Sequence, residues 1–170
     1  QNFYVYGHSS GGISSRWLSI NMPTQLKGAV NSSVMNGTAG SLARSMLRFD
    51  MSAITIPVLN IAHEDDQCPS TPYAVVKRYA KDNLVTVRGG GQSGHICGGA
   101  NRHSFEGRQR GVSRAIVQWM TTGTVQQVVD TDEAPTAPSI EVTPHTGRKG
   151  FTYIDLNAGR NEGVFTKSPV

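Results

Sequence analysis

Two serines lie between glycines near the beginning of the chain, in the stretch YGHSSGG. Ser9 fits the pattern G-x-S-x-G, with Gly7 two residues before it and Gly11 two residues after it. In this pattern the serine occupies a strained turn between a strand and a helix, where the backbone folds back too tightly for a larger side chain at either glycine position. Ser10 would have His8 at the first of these positions, so the pattern selects Ser9 as a nucleophile.

The residue that follows such a nucleophile has a separate use in the same chemistry. Its backbone N–H points into the oxyanion hole, and the start of the following helix adds partial positive charge. We therefore expect the amide of Ser10 to form part of an oxyanion hole, and we expect His8 to line the pocket beside the turn.

A serine hydroxyl becomes a good nucleophile when a histidine accepts its proton and an acid orients that histidine. The acids Glu64, Asp65 and Asp66 follow the third predicted strand, in AHEDDQCPSTP. Two histidines come later, His95 in GQSGHICGG and His103 in NRHSFEG. The order of serine, acid and histidine predicts nucleophilic acyl transfer, with two adjacent aspartates and two histidines as alternatives.

Alternating strands and helices are predicted to position these residues. Short apolar runs that end in turn residues are typical of strands. Strands are predicted in FYVY (3–6), GAVNSSVM (28–35), IPVLNIAH (56–63) and LVTVRG (84–89). Helices are predicted after the serine turn, in SLARSMLRF, from about Pro72 to Ala80 and over 104–120. The alternation predicts an α/β fold with a parallel sheet flanked by helices.

Apolar periodicity supports two of these helices. In the first helix the residues that share an apolar face are Ile13, Trp17 and Leu18. In the last helix the expected buried residues are Val112, Ile116, Val117, Trp119 and Met120.

The composition changes after Thr121. The stretch TDEAPTAPSIEVTP is rich in proline, threonine and acidic residues, which is typical of a linker. The sequence therefore predicts a domain over 1–122. It leaves 123–170 as a linker with a tail, or as the start of an appended β-rich module in which FTYIDLNAG forms a strand.

These segments together resemble the C-terminal half of an α/β-hydrolase, over about residues 3–121. GHSSGG is similar to the serine turn of many esterases and lipases in that family. PVLNIAHEDDQCPSTP resembles the acid loop, and NRHSFEGRQRGVSRAIVQWM resembles the segment in which the catalytic histidine precedes the last helix. The resemblance implies that Asp66 and His103 serve a triad with Ser9. Nothing like a cap domain lies between the serine turn and the acid loop, which implies small uncapped esterases such as dienelactone hydrolases.

The resemblance also implies what comes before Gln1. In the complete fold further strands precede the serine turn, and a loop among them donates the second oxyanion amide. Loss of one such donor commonly costs roughly two to three orders of magnitude in rate. We therefore expect residues 1–170 alone to be nearly inactive, and their first strand to be an uncovered edge.

If the triad forms, the positions of the two cysteines predict a disulfide. Cys68 follows the predicted acid and Cys97 lies in the loop before His103, so the two loops would then be neighbours. A disulfide between them would clamp the site and would indicate an exported enzyme. The alternative is a pair of reduced thiols, as in a cytosolic enzyme.

Charge and spacing argue against several other classes. The net charge of +4 comes from scattered lysines and arginines, without the dense patch of a nucleic-acid-binding protein. No window approaches the roughly 18 apolar residues of a membrane span. No histidine pair has the spacing of a metal motif, and His63, at the end of a strand, is expected to be structural.

The sequence therefore predicts a serine hydrolase that cleaves a small or polymeric carboxylic ester through an acyl-enzyme intermediate, without a cofactor. A peptidase or a thioesterase would use the same residues. A further alternative is a non-catalytic binding module of the same fold, although the complete order of serine, aspartate and histidine argues against it.

Overall fold

A computed structural model describes residues 3–36 and 49–132, together with three further strands within 144–167. The chain divides into two compact units, Gln1–Glu133 and Ala134–Val170. The first unit extends beyond residue 122, where the composition changes, because a short strand after the last helix still belongs to its sheet.

The first unit contains a five-stranded sheet in which all strands are parallel. Its strands lie in sequence order and are β1 (Tyr4–His8), β2 (Gly28–Ser32), β3 (Val58–His63), β4 (Leu84–Val87) and β5 (Val128–Val129). The helices described are α1 (Gly12–Asn21), α2 (Tyr73–Ala80) and α3 (Gln109–Thr122). The predicted α/β class and its first four strands are thus confirmed. The helix predicted in SLARSMLRF falls almost entirely outside the described residues.

Helices cover both faces of the sheet, as parallel sheets require. Ile61 belongs to an apolar cluster with Trp119 of α3, whereas the next residue, Ala62, packs in a second cluster with Val76 of α2. Successive residues of a strand point to opposite faces, so α2 and α3 lie on opposite sides of β3. Because the strands are parallel, the carboxyl ends of β1 to β4 lie at one edge of the sheet.

The first helix buries a different face from the one its apolar residues predict. Trp17 is 51% exposed, while the buried residues of α1 are Gly12, Ser15, Arg16 and Ser19. Small side chains let α1 approach the sheet closely, and Ser15 Oγ donates a 2.7 Å hydrogen bond to Asn31 Oδ1 on β2. Of the three residues on the apolar face, Ile13 and Leu18 are half-buried and Trp17 is exposed, because close packing and buried hydrogen bonds decide the orientation.

The last helix follows its apolar pattern with one exception. Val112 and Trp119 are buried, and Ile116 and Met120 pack against the same core. Val117, however, is 58% exposed, and Ala115 takes a fully buried position instead. The helix begins at Gln109 rather than at residue 104, since a 3₁₀ turn and a loop occupy the residues before it.

The second unit contains a three-stranded antiparallel sheet. Its strands are β6 (Pro144–Thr146), β7 (Phe151–Asp155) and β8 (Gly163–Lys167), in that order. Within the described part of the chain, every helix is too short or too polar to cross a bilayer.

Candidate functional site

Ser9 lies in the turn between β1 and α1 and has a left-handed backbone. Its φ is +52°, a conformation that costs a residue with a Cβ atom about 1–3 kcal/mol. A 3₁₀ turn over Ser9–Gly11 then leads directly into α1. The strain falls on Ser9 and not on Ser10, so the backbone singles out the serine that the motif selects. Ser10 is exposed and supplies the next amide of the turn.

The close approach of β1 and α1 explains why the first motif position, Gly7, requires a glycine. A Cβ atom at Gly7 would lie 2.5 Å from Ser15 Oγ and 2.6 Å from the carbonyl oxygen of Gly11. A Cβ atom at Gly11 would meet no atom within 4 Å, so the steric argument fails there. It applies instead to Gly12, where a Cβ atom would collide with the side chain of Val34.

Alanine substitutions at the two motif glycines are expected to differ in their effect on stability. Gly7→Ala should lower the free energy of unfolding by about 1–3 kcal/mol, because the added methyl group overpacks the interface between strand and helix. Gly11→Ala should leave stability unchanged or raise it by up to about 1 kcal/mol, since Gly11 has helical dihedral angles and open space. Urea unfolding of both variants measures this, and equal destabilisation would contradict the geometry.

Asp66 and His103 form a buried pair. His103 Nδ1 lies 3.0 Å from Asp66 Oδ2, and both side chains are 2% exposed. Asp66 lies on the loop after β3, and His103 lies in a 3₁₀ turn over Arg102–Ser104. Two distant segments of the chain thus meet at the carboxyl edge of the sheet, where sites of open α/β folds form.

Further hydrogen bonds hold the carboxylate of Asp66 in place. Its Oδ1 accepts from the backbone N–H of Cys68 at 2.9 Å, and its Oδ2 accepts from Thr71 Oγ1 at 2.7 Å. Because the Thr71 hydroxyl proton is directed at the carboxylate, the remaining acceptor position of Oδ2 suits the N–H of His103 Nδ1. This arrangement leaves His103 Nε2 as the ring atom that can accept a proton.

The histidine lies beside the serine turn without yet bonding to the serine. The ring centroid of His103 is 5.1 Å from that of His8, the residue before Ser9. Within the described ranges, no hydrogen bond joins Ser9 Oγ to the imidazole of His103. Such bonds are often long in the absence of substrate and tighten in the reacting complex.

The alternative acid and histidine lie elsewhere. The Asp65 side chain is 56% exposed and makes a 3.4 Å ion pair with Arg102. His95 is exposed, and its Nδ1 accepts a hydrogen bond from the Cys97 amide. Glu64 pairs with Arg88 at the surface. The geometry therefore brings Asp66 and His103 together and leaves the other candidates apart.

Three contacts tie the acid loop to the glycine-rich loop after β4. Cys68 and Cys97 form a disulfide with their Cα atoms 4.9 Å apart, which confirms that pairing. Gln92 donates to Gln67 at 3.1 Å. His63 is fully buried, donates from Nε2 to the Gly89 carbonyl at 2.7 Å and accepts from the Asp65 amide, as a structural histidine does.

A surface cavity of about 340 Å³ lies beside the serine turn. His8 and Ser104 line it together with Phe105 and Ile116, so it adjoins the segment that carries His103. His8 was expected beside such a pocket, and the structure places it there. Thr71 and Ser104 were not identified from the sequence, because a lone hydroxyl residue in a loop gives no pattern that marks its partner.

The environment of His8 disfavours its charged form. Burial lowers the pKa of His8 from its usual value of 6.5, and the positive charge of a protonated His103 lowers it further. The Asp66 carboxylate and a hydrogen bond with Ser32 raise the pKa but do not cancel these effects. His8 is therefore neutral at neutral pH.

The lowered pKa of His8 should make the protein less stable in acid. Because the unfolded chain binds this proton at a higher pH than the folded chain does, the free energy of unfolding falls as pH drops through 6.5. The free energy of unfolding stops falling for this reason once the pH is below the pKa of His8 in the folded protein. Urea unfolding between about pH 7.5 and 5 should therefore show a shallower decline for His8→Gln than for the wild type. Identical slopes would contradict the shifted pKa.

In the described residues, no group of three or more histidine, cysteine or acidic side chains is arranged to hold a metal ion.

Comparisons with protein-family models, with curated proteins and with solved structures give no match to this chain.

Proposed function

We propose that this protein is a serine hydrolase that cleaves carboxylic esters through an acyl-enzyme intermediate. Ser9 is the nucleophile, His103 is the general base and acid, and Asp66 orients His103. The observation that carries the proposal is the buried pair of His103 and Asp66 beside a serine held in a left-handed turn. A strained serine between a strand and a helix is what the G-x-S-x-G turn requires.

Each step of the reaction follows from this arrangement. Ser9 Oγ attacks the acyl carbon and transfers its proton to His103 Nε2, while Asp66 stabilises the imidazolium that forms. The tetrahedral intermediate collapses, the C–O bond to the alcohol breaks, and His103 returns the proton to the leaving oxygen. Water then attacks the acyl-enzyme by the same route, releasing the acid and restoring Ser9.

The amide of Ser10 would donate one hydrogen bond to the oxyanion. It follows the nucleophile and lies in the 3₁₀ turn that leads into α1, so the helix adds partial positive charge. In the fold that the sequence resembles, a loop before the serine turn donates the second hydrogen bond. We therefore propose that a chain that also carries such a loop, here called the extended protein, is more active than residues 1–170.

The disulfide favours an enzyme that works in an oxidising compartment, since such bonds are rare in the cytosol. The leaving group distinguishes ester cleavage from peptide or thioester cleavage: an alcohol or an amine leaves with a proton from His103, whereas a thiolate can leave without one. A matched set of an ester, a thioester and an amide with one acyl group separates these substrate classes.

The test is a burst experiment with a p-nitrophenyl ester, performed on the extended protein and on residues 1–170. We expect the extended protein to release about one equivalent of nitrophenol rapidly before the steady rate, because the acyl-enzyme accumulates. Ser9→Ala should abolish both phases. Ser14→Ala, which alters an exposed serine on α1, is the matched control and should behave as wild type. A folded Ser9→Ala variant with full turnover would refute the proposal.

A further inference from the structure

His8 connects the serine turn to the segment that carries His103. Its Nδ1 is hydrogen-bonded to Ser32 Oγ at 3.0 Å, at the end of β2, and its Nε2 lies 3.4 Å from Ser104 Oγ. Ser104 directly follows His103 in the chain. A movement of the His8 ring would therefore disturb its contact with Ser32 at the end of β2 and its contact with Ser104 beside the proposed base.

The ring of His8 also packs against its neighbours. It is tilted by 55° against the ring of His103 at a centroid distance of 5.1 Å, and it meets the ring of Phe105 edge-on at 6.1 Å. Phe105 is 4% exposed and belongs to the core, so one side of this stack is fixed. His8 thus fills the space between the core and the proposed base.

We propose that His8 is a positioning residue, whose imidazole holds the His103 turn against the serine turn during acyl transfer. This inference rests on the proposed hydrolase function. The geometry of a general base must be held closely, since an error of about 1 Å can cost roughly a hundredfold in rate. A neutral imidazole has one donor and one acceptor, so it can bond to both serine hydroxyls.

The two histidine rings have different surroundings. The ionisable groups that face His8 are His103 and Asp66, with Tyr6 lining the same cavity. Asp66 bonds directly to His103. A positive charge on His8 would lie beside the ring that must accept the serine proton, and burial lowers the pKa of His8 and so disfavours that charge. Two adjacent histidines with different environments can thus take different roles.

The first test is the rate at which a fluorophosphonate phosphonylates Ser9, with loss of fluoride, in the extended protein. His8→Phe keeps a ring but removes both hydrogen bonds, and it should slow labelling by about tenfold to a hundredfold. His8→Gln keeps a donor and an acceptor, so it should restore most of the rate. His95→Phe alters an exposed histidine outside the site and is the matched control.

The outcomes separate this inference from the proposed function. A folded wild type that takes no label overturns both. Normal labelling of the wild type together with an unchanged rate in His8→Phe overturns only the role of His8, and so does a His8→Gln variant as slow as His8→Phe. Ser104→Ala combined with His8→Phe should be no slower than His8→Phe alone, because both changes break the same contact.

A second test needs no enzymatic activity and guards against variants that fold poorly. The pH titration of the His8 ring is followed by NMR in the wild type, in His103→Gln and in Asp66→Asn. His8 should titrate at a higher pH in His103→Gln, where the opposing charge is gone, and at a lower pH in Asp66→Asn. Equal titration in all three proteins would show that the rings are independent and would overturn the inference.

Discussion

Asp66→Asn is expected to lower kcat for ester hydrolysis by about four orders of magnitude while leaving the fold intact. The carboxylate accepts the N–H of His103 Nδ1, and this hydrogen bond leaves Nε2 free of a proton. An asparagine amide can instead donate to Nδ1, which places the ring proton on Nε2. The imidazole then cannot accept the proton of Ser9. The measurement is kcat with a p-nitrophenyl ester, with circular dichroism to verify folding.

Asp65→Asn is the matched control, because it makes the same chemical change one residue earlier. Asp65 is exposed and pairs only loosely with Arg102, and exposed ion pairs contribute little. Its kcat should stay within about twofold of wild type. If Asp65→Asn were the impaired variant and Asp66→Asn were active, the acid would be assigned to the wrong aspartate.

Removal of the disulfide is expected to lower the free energy of unfolding by about 3.5 kcal/mol. The bond joins residues 29 positions apart, and without it the unfolded chain regains the freedom of that closed loop. The variant is Cys68→Ala combined with Cys97→Ala, compared by urea unfolding with oxidised and with chemically reduced wild type. The reduced protein should resemble the double variant.

The disulfide also bears on the geometry of the proposed base. The amide of Cys68 donates to Asp66, and Cys97 lies on the loop that precedes His103. We therefore expect the double variant to lose activity at temperatures at which it is still folded. Unchanged stability on reduction would mean that the hydrogen bonds of the two loops hold them together without the disulfide.

The sheet was predictable because its strands carry a strong local signal. The run IPVLNIAH is a nearly continuous apolar run, which matches β3 buried on both faces. β5 was not predictable, because it has only two residues and follows the last helix after a polar segment. The buried face of α1 was not predictable, since hydrogen bonds such as that from Ser15 to Asn31 leave no apolar period in the sequence.

Some features of the candidate site could likewise be predicted from the sequence, and others could not. The serine turn could be located from glycine spacing, because the close approach at Gly7 is a local property of the chain. The choice between Asp65 and Asp66 depended on family resemblance, since both residues are acidic and adjacent. The bond from Thr71 to Asp66 and the contact of His8 with Ser104 depend on how distant loops meet. The spacing of nearby residues in the sequence predicts neither contact.

The most direct measurement is mass spectrometry of the folded, N-terminally extended protein after exposure to a fluorophosphonate probe, with the modified residue identified by peptide mapping. Our account predicts a single adduct on Ser9, no adduct in Ser9→Ala, and a greatly reduced rate in His103→Gln. An extended, folded protein that takes no label, or that takes it on another residue, would contradict the proposal that Ser9 is an activated nucleophile.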